Sequence, residues 1–216
     1  MSDTKQNYLF VSGCARSGTT ALTRLLNSHP EIEITVEKFG HIFQNKPDQF
    51  SSKLVDTNTE KKYTGDKFPG YYKDFPLIFK NFPNAKMLFI YRNIFDVAQS
   101  YKARKLDDLN DWDKGPKRAV TEWNQSIRLA IIGLKNSRNI VPLCYEKVMF
   151  NNDNLIINKL NLQKSSEFDE KYNQIIKVGR KLNHNRRNIL TNREKLWIME
   201  NARFDLYRKL NKITMS

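Results

Sequence analysis

The sequence predicts a three-layer α/β fold in which helices cover both faces of a central parallel sheet. Short apolar runs with the length and composition of buried strands occur at residues 8–12, 32–35, 86–91 and 140–145. Helical patterns occur at residues 19–28, 94–104, 117–135 and 192–210. Because strands and helices alternate along the chain, the connections are crossovers and the sheet is expected to be parallel.

A single domain is expected, covering residues 1–216. Hydrophobic residues make up 39% of the chain and aromatic residues 12%, which is enough for one core and excludes a disordered protein. The polar start lacks the apolar segment of a secretory signal, and no apolar run approaches the roughly 20 residues of a membrane helix. A cytoplasmic protein without a membrane span is therefore expected. Two cysteines, Cys14 and Cys144, are too few for a disulfide framework or a zinc site.

The first predicted strand runs into the first predicted helix through the loop Gly13-Cys-Ala-Arg-Ser-Gly-Thr-Thr20. At such a junction the backbone N–H groups and the helix N-terminus bind an anion. ATP-binding loops of this kind carry Lys directly after the second glycine. Here Thr19 occupies that place and the cation is Arg16. The loop therefore indicates a phosphate-type ligand other than ATP.

Two segments between the predicted elements are expected to lie outside the sheet. Residues 45–64 lack a clean period and are expected to form a partly helical insertion on the substrate side. Residues 106–116 are polar and acidic and end in Gly-Pro, which indicates a surface loop over the site.

A second group of anion-binding candidates follows the strand at residues 86–91. Arg92 stands directly after this strand, where a kinase or GTPase would place an acid to hold Mg²⁺. Ser100 and Arg104 lie four residues apart on the next predicted helix, so they share one face. Two anion pockets without a metal-binding acid favour a nucleoside ligand phosphorylated at both ends.

The end of the chain is strongly basic. From residue 171 onward there are twelve Lys or Arg residues against three acids, in a chain whose formal net charge is +14. Nucleic acid, a polyanionic acceptor and a solvated helix surface are the three interpretations of this charge. A nucleic-acid-binding protein is thus the alternative from another functional class, although no recognition helix, RNP motif or zinc pattern accompanies the charge. The alternative within the same fold is a nucleotide or small-molecule kinase, which Thr19 and Arg92 disfavour.

Several motifs resemble those of one enzyme family. Residues 13–31 read Gly-x-x-Arg-Ser-Gly-Thr-Thr-x-Leu-x-x-Leu-Leu-x-x-His-Pro-Glu. This pattern resembles the 5′-phosphosulfate loop of sulfotransferases that use 3′-phosphoadenosine 5′-phosphosulfate (PAPS), and residues 91–104 resemble their 3′-phosphate motif. Further motifs at 65–69, 82–88, 122–127 and 144–146 follow in the family's order. The layout is most similar to that of the protein-tyrosine sulfotransferase type and its bacterial relatives.

The resemblance implies that a sulfuryl group passes from PAPS to a hydroxyl of a glycan, a small molecule or a tyrosine, leaving 3′-phosphoadenosine 5′-phosphate (PAP). It also implies a P-loop-like fold, with no nucleic-acid partner. The implied ligands of the 5′ phosphate are Arg16, Ser17, Gly18, Thr19 and Thr20. The implied ligands of the 3′ phosphate are Arg92, Ser100 and Arg104, and Tyr145 is an implied contact of the nucleotide.

For catalysis, the resemblance implies Glu37 as the general base, with Lys67 and Arg16 stabilising the transferred group and the leaving phosphate. Asp66 and His41 remain alternatives for the base. A basic loop that closes over the nucleotide would correspond to residues 183–187, with Arg186 and Arg187 as its candidate cations. Fixed cations would take the role that Mg²⁺ has in kinases, so no metal is expected.

Overall fold

The computed structural model describes residues 7–51, 60–107, 112–150, 154–185 and 189–215. Its strands are β1 (Asn7–Ser12), β2 (Ile32–Val36), β3 (Tyr63–Lys67), β4 (Lys86–Tyr91) and β5 (Ile140–Cys144). They form one five-stranded sheet in the order β2-β3-β1-β4-β5, and every neighbouring pair is parallel. The prediction of a central parallel sheet is therefore confirmed.

Helices connect and follow the strands. They are α1 (Thr19–Leu26), α2 (Gly40–Asn45), α3 (Phe75–Asn81), α4 (Ile94–Lys105), α5 (Pro116–Asn136), α6 (Tyr145–Phe150), α7 (Asn154–Leu160), α8 (Ser166–Asn185), α9 (Asn192–Asn201) and α10 (Phe204–Met215). Short 3-10 turns occur at Pro47–Gln49 and Pro69–Asp74. Within the described ranges, no helix combines the length and the apolar character needed to cross a bilayer.

The sheet separates two apolar cores, which confirms the three layers. Successive side chains of β1 point to opposite faces, so Leu9 and Val11 enter one core and Phe10 enters the other. The core on the Leu9 side takes its helical residues from α1, α6, α7 and α8. The core on the Phe10 side takes them from α2, α3, α4, α5, α9 and α10.

The strand β3 is absent from the sequence prediction, which assigned its first residues to the insertion at 45–64. This strand reads Tyr-Thr-Gly-Asp-Lys, and all five residues are buried in the sheet between β1 and β2. Polar residues in a buried strand give no apolar run, so periodicity could not reveal it. Of the segment 45–64, residues 52–59 lie outside the described part of the chain. In the described part, the end of α2 and the turn Pro47–Gln49 are helical.

The helix predicted at residues 192–210 is two helices. Thr191 begins α9 with a capping box, in which its hydroxyl accepts from the Glu194 N–H and the Glu194 carboxylate accepts from the Thr191 N–H. Ala202 then takes an extended conformation (φ −81°, ψ 135°), which ends α9 before α10 begins at Phe204. The break turns α10 back along α5 and β5, so that Leu210 enters the core.

Candidate functional site

The loop after β1 has the backbone of an anion-binding turn. Gly13 (φ 154°) and Gly18 (φ 100°) take positive φ, and Gly18 is the N-cap of α1. No side chain caps this helix end and its first turn holds no acid, so its N–H groups are available to an anion. A Cβ on Gly18 would lie 2.4 Å from the Tyr145 ring, so only glycine lets that ring pack against the loop.

Arg16 links the two groups of anion-binding candidates. Its φ of 65° is left-handed, which is uncommon for a residue with a side chain. Its Nε donates to the Ser100 hydroxyl of α4 at 2.9 Å. Ser17 is fully buried behind the loop, where its N–H closes a turn onto the Cys14 carbonyl at 3.1 Å. The cation of the first group and the hydroxyl of the second group are thus neighbours in space.

Arg92 is buried against its neighbours at the carboxyl end of β4. Its guanidinium carbon lies 4.3 Å from the centre of the Tyr145 ring, and its Nη2 lies 3.3 Å from the Asp96 carboxylate. The Arg92 carbonyl accepts from the Trp123 indole N–H at 2.8 Å. Only 7% of Arg92 is exposed, so contacts with neighbouring side chains set the position of its guanidinium.

A cavity of about 530 Å³ joins these groups. From the first group it is lined by Arg16, Gly18, Thr19 and Thr20, and from the second by Arg92, Ser100 and Tyr145. Arg104 is not among its lining residues. One turn further along α4 than Ser100, the Arg104 guanidinium lies 4.6 Å from the centre of the Trp112 ring. Trp112 itself, in the segment expected as a surface loop, packs edge-on against Tyr101.

The far wall of this cavity was missed from the sequence. It comprises Ala21 and Arg24 of α1 and Lys171, Gln174, Ile175, Val178 and Gly179 of α8. The sequence does contain a signal for helix α8, because apolar residues at 168, 172, 175 and 176 have the spacing of a helix face. Arg186 and Arg187, the candidates for a closing loop, lie outside the described residues.

Glu37 and Lys67 meet at the same edge of the sheet. In the β2–β3 pairing Val36 is opposite Lys67, so the next residue, Glu37, ends beside it. The Lys67 Nζ donates to Glu37 Oε1 at 2.6 Å, and the Glu37 N–H donates to the Lys67 carbonyl at 2.7 Å. The Lys67 side chain is 2% exposed and that of Glu37 is 51% exposed. The lysine is therefore an internal cation, and the carboxylate stands at the surface.

The two alternative bases have different surroundings. Asp66 is fully buried, and its oxygens accept hydrogen bonds from two side chains and two backbone N–H groups. Burial raises the pKa of this carboxyl although those hydrogen bonds oppose the shift. His41 is an exposed residue of α2 whose Nδ1 accepts from the Asn45 side-chain amide at 2.9 Å.

Side chains from both groups thus line one cavity at the carboxyl edge of a parallel sheet, which is the arrangement of a P-loop-like nucleotide-binding fold. More particularly, the chain belongs to the sulfotransferase family, because the model of that family matches residues 9–53 and 41–156. The resemblance inferred from the motifs is confirmed.

Relatives of known sequence or structure agree with this family. Protein-tyrosine sulfotransferase A of Caenorhabditis elegans is 22% identical over an alignment that covers 66% of this chain. The alignment covers 46% of that protein, so the chain spans about half the length of this relative.

Two solved structures share the fold. A sulfotransferase from Alicyclobacillus acidocaldarius superposes with a TM-score of 0.52 and 16% identity, covering 79% of this chain and 91% of its own. A mouse sulfotransferase complexed with PAP superposes with a TM-score of 0.54 and 15% identity, covering 79% of this chain and 64% of its own. These likenesses confirm the predicted P-loop-like α/β fold.

Proposed function

We propose that this chain transfers a sulfuryl group from PAPS to an acceptor hydroxyl and releases PAP. The observation that carries the proposal is the single cavity that joins the Arg16 loop to Arg92 and Ser100. The anion-binding loop at the N-terminus of α1 suits a 5′ phosphate. The cation of Arg92 and the hydroxyl of Ser100 beside it suit another phosphate on the same nucleoside. ATP has no phosphate at the 3′ position.

The residues of the cavity fit such a nucleotide. Its volume of about 530 Å³ lies within the range of small-molecule sites. Gly18 lets the ring of Tyr145, another lining residue, pack against the loop, because a Cβ there would lie 2.4 Å from that ring. The side chains of Ile175 and Val178 of α8 and Ala21 of α1 give this cavity an apolar part. We assign the purine to this apolar part and the two phosphates to the cationic part.

Arg104 is the weaker of the predicted 3′-phosphate ligands. Its guanidinium lies over Trp112, whereas Arg92 and Ser100 line the cavity. We therefore propose Arg92 and Ser100 as the 3′-phosphate ligands and Tyr145 as the platform that holds Arg92.

Glu37 is the proposed general base. In the transfer, the acceptor oxygen attacks sulfur, the bond from sulfur to the bridging phosphate oxygen breaks, and the acceptor proton passes to the Glu37 carboxylate. Arg16 and the N-terminus of α1 stabilise the negative charge that the phosphate gains. Lys67 lies 2.6 Å from Glu37 and directs its carboxylate, and its cation stabilises the sulfuryl oxygens.

The surroundings of the alternatives support this choice. All four acceptor positions of Asp66 are occupied by protein donors, so no position remains for an acceptor hydroxyl. His41 pairs with Asn45 on the exposed face of α2. Glu37 is the acidic side chain that both contacts Lys67 and reaches solvent.

The acceptor is proposed only as a hydroxyl-bearing molecule. The name of the nematode relative includes tyrosine, but this chain matches less than half of that protein. A tyrosine peptide, a glycan and a phenolic small molecule are therefore all included in the acceptor screen. A cytoplasmic location stays a prediction.

Calorimetry tests the donor. PAP should bind without Mg²⁺ at least about a hundredfold more tightly than ATP, a difference of about 2.7 kcal/mol. Tighter binding of ATP with Mg²⁺ than of PAP would instead support the kinase alternative. Incubation with radiolabelled PAPS and the acceptor screen then measures the transfer itself.

A further inference from the structure

Asp66 stands directly before Lys67 but has no part in the reaction described above. We propose that Asp66 is a positioning residue: its carboxylate, together with Thr35 and Tyr71, holds the turn that presents Glu37 to the acceptor. This inference rests on the proposed function, because it assumes that Glu37 is the base. It adds a residue that controls the base from the protein interior.

The Asp66 carboxylate binds both sides of the Glu37 turn. Its Oδ1 accepts from the Thr35 hydroxyl at 2.6 Å, before Glu37, and from the Lys38 N–H at 3.1 Å, after it. Its Oδ2 accepts from the Phe39 N–H at 3.4 Å. Three of its four donors thus belong to residues 35–39, and Glu37 lies at their centre.

The fourth donor fixes Asp66 itself. The Tyr71 hydroxyl donates to Oδ2 at 2.6 Å, and Tyr71 is fully buried among Phe10, Phe43 and Phe68. A buried carboxylate is retained only where donors replace the water it has lost. The turn is therefore attached through Asp66 to the aromatic core rather than to the surface.

Glu37 needs such support because of its backbone. Its φ of 58° is left-handed, a conformation that a residue with a Cβ adopts at a cost. Asp66 holds the backbone that follows it, and Lys67 accepts its N–H and binds its carboxylate. The last two residues of β3 thus hold the proposed base together: Asp66 through the backbone that follows Glu37, and Lys67 through the Glu37 N–H and carboxylate.

The variant Asp66→Asn tests the inference. Asparagine keeps the shape of the side chain but places an amide NH₂, a donor, where a carboxylate oxygen accepts hydrogen bonds. We expect kcat to fall about tenfold or more, with PAP affinity and acceptor KM changed less than about threefold. In a Glu37→Gln background the same change should cost less than about twofold further, because the effect acts through Glu37. An equal loss in both backgrounds, or wild-type kcat in Asp66→Asn, would overturn the inference.

Two milder variants cover the case in which Asp66→Asn fails to fold. Tyr71→Phe and Thr35→Val each remove one donor and should each lower kcat with PAP affinity retained. Tyr63→Phe is the matched control, since it removes a buried hydroxyl that donates to the Leu160 carbonyl at 3.0 Å, away from the turn. If Tyr63→Phe lowered kcat as much as Tyr71→Phe, the positioning role would be refuted.

Hydrogen exchange provides a readout that needs no activity. In Tyr71→Phe and Asp66→Asn, the amides of Lys38 and Phe39 should exchange about tenfold faster, while the amide of Phe68, bound to the Val11 carbonyl at 3.1 Å, should be unchanged. Unchanged exchange at Lys38 and Phe39 would disprove the positioning role of Asp66, whatever the value of kcat. Absence of PAP binding by the wild-type protein would refute the proposed function and leave this exchange result standing.

Discussion

Backbone strain coincides with the proposed chemistry at the scale of single residues. In the described part of the chain, the non-glycine residues with positive φ are Arg16, Glu37 and Asn161. Asn161 is of a type that tolerates the left-handed region. Arg16 and Glu37 are not, and each costs about 1–2 kcal/mol in that conformation. These two are the residues that we assign to the leaving phosphate and to the acceptor proton, which agrees with the tendency of strain to lie at functional sites.

Replacement of the proposed base should affect turnover alone. Glu37→Gln keeps the shape of the side chain but removes its ability to take a proton, so kcat should fall at least about a hundredfold while PAP affinity is retained. Steady-state kinetics and calorimetry measure the two quantities. Glu33→Gln, an exposed residue of the same strand β2, is the control and should have wild-type kcat. Wild-type turnover in Glu37→Gln would return the base role to Asp66 or His41.

Arg92 should distinguish the two phosphates. Arg92→Ala should weaken PAP binding by about ten- to a hundredfold, because a charge-assisted contact contributes about 1.5–3 kcal/mol. Binding of adenosine 5′-phosphate, which has no 3′ phosphate, should change by less than about threefold. Arg138→Ala removes an equal charge just before the amino end of β5 and should leave both affinities unchanged. Equal losses for the two ligands in Arg92→Ala would remove Arg92 from the 3′ site.

At the scale of elements, the site depends on how strand ends meet helix starts. The end of β1 leads through the glycine loop into α1, and the end of β5 leads directly into Tyr145 of α6. Tyr145 packs on Gly18 of the glycine loop and on Arg92, which follows β4. One aromatic ring thus connects the two proposed phosphate sites.

A methyl group at Gly18 should disturb this connection. In Gly18→Ala the new Cβ would meet the Tyr145 ring at 2.4 Å with φ at 100°, so we expect a loss of about 1–3 kcal/mol in unfolding free energy and weaker PAP binding. Urea denaturation and calorimetry measure these effects. Gly115→Ala is the control, because Gly115 has φ of −99° and its nearest neighbour would be an ordinary contact at 3.6 Å. Wild-type stability in Gly18→Ala would show that the ring moves aside freely.

At the scale of the whole molecule, Glu122 of α5 joins three segments. Its Oε2 accepts from the Tyr101 hydroxyl of α4 at 2.6 Å, and its Oε1 accepts from Lys114 at 3.2 Å and from Arg118 at 2.7 Å. Burial alone would raise the pKa of Glu122, but the hydrogen bonds from Tyr101 and Arg118 and the charge of Lys114 outweigh it, and the pKa is lowered from 4.5. The ionised carboxylate therefore stabilises the folded state.

The stability contributed by Glu122 should depend on pH. A carboxyl with a lowered folded-state pKa stabilises the protein above its unfolded pKa, and this contribution is lost as pH falls through the folded value. Glu122→Gln should thus reduce unfolding free energy at pH 7 by about 1–2 kcal/mol. The difference from wild type should shrink as pH falls below 4.5. Urea denaturation from pH 7 to about pH 3 measures it, with the exposed Glu200→Gln as control. A constant difference across that range would contradict the linkage.

Much of the molecule could be predicted from local signals. Four strands and the loop at residues 13–20 depend on runs of neighbouring residues, and each is where the sequence placed it. Of the group Arg92, Ser100 and Arg104, the first two line the cavity and Arg104 does not. The strand β3 was missed because its residues are polar and buried, so its identity depends on β1 and β2 beside it. The cavity wall of α8 was missed because charged residues interrupt the apolar residues of this helix in the sequence.

By itself, the sequence determined the strand-to-helix alternation, the phosphate-binding loop without its lysine, and membership of a family by motif order. Only the tertiary structure decided which residues surround the reacting groups. The register of β2 on β3 puts Glu37 beside Lys67, and the same register puts Asp66 under the Glu37 turn. These residues are about 30 positions apart in the chain. Contacts at such separations are set by strand pairing and packing, and local sequence patterns carry no information about these.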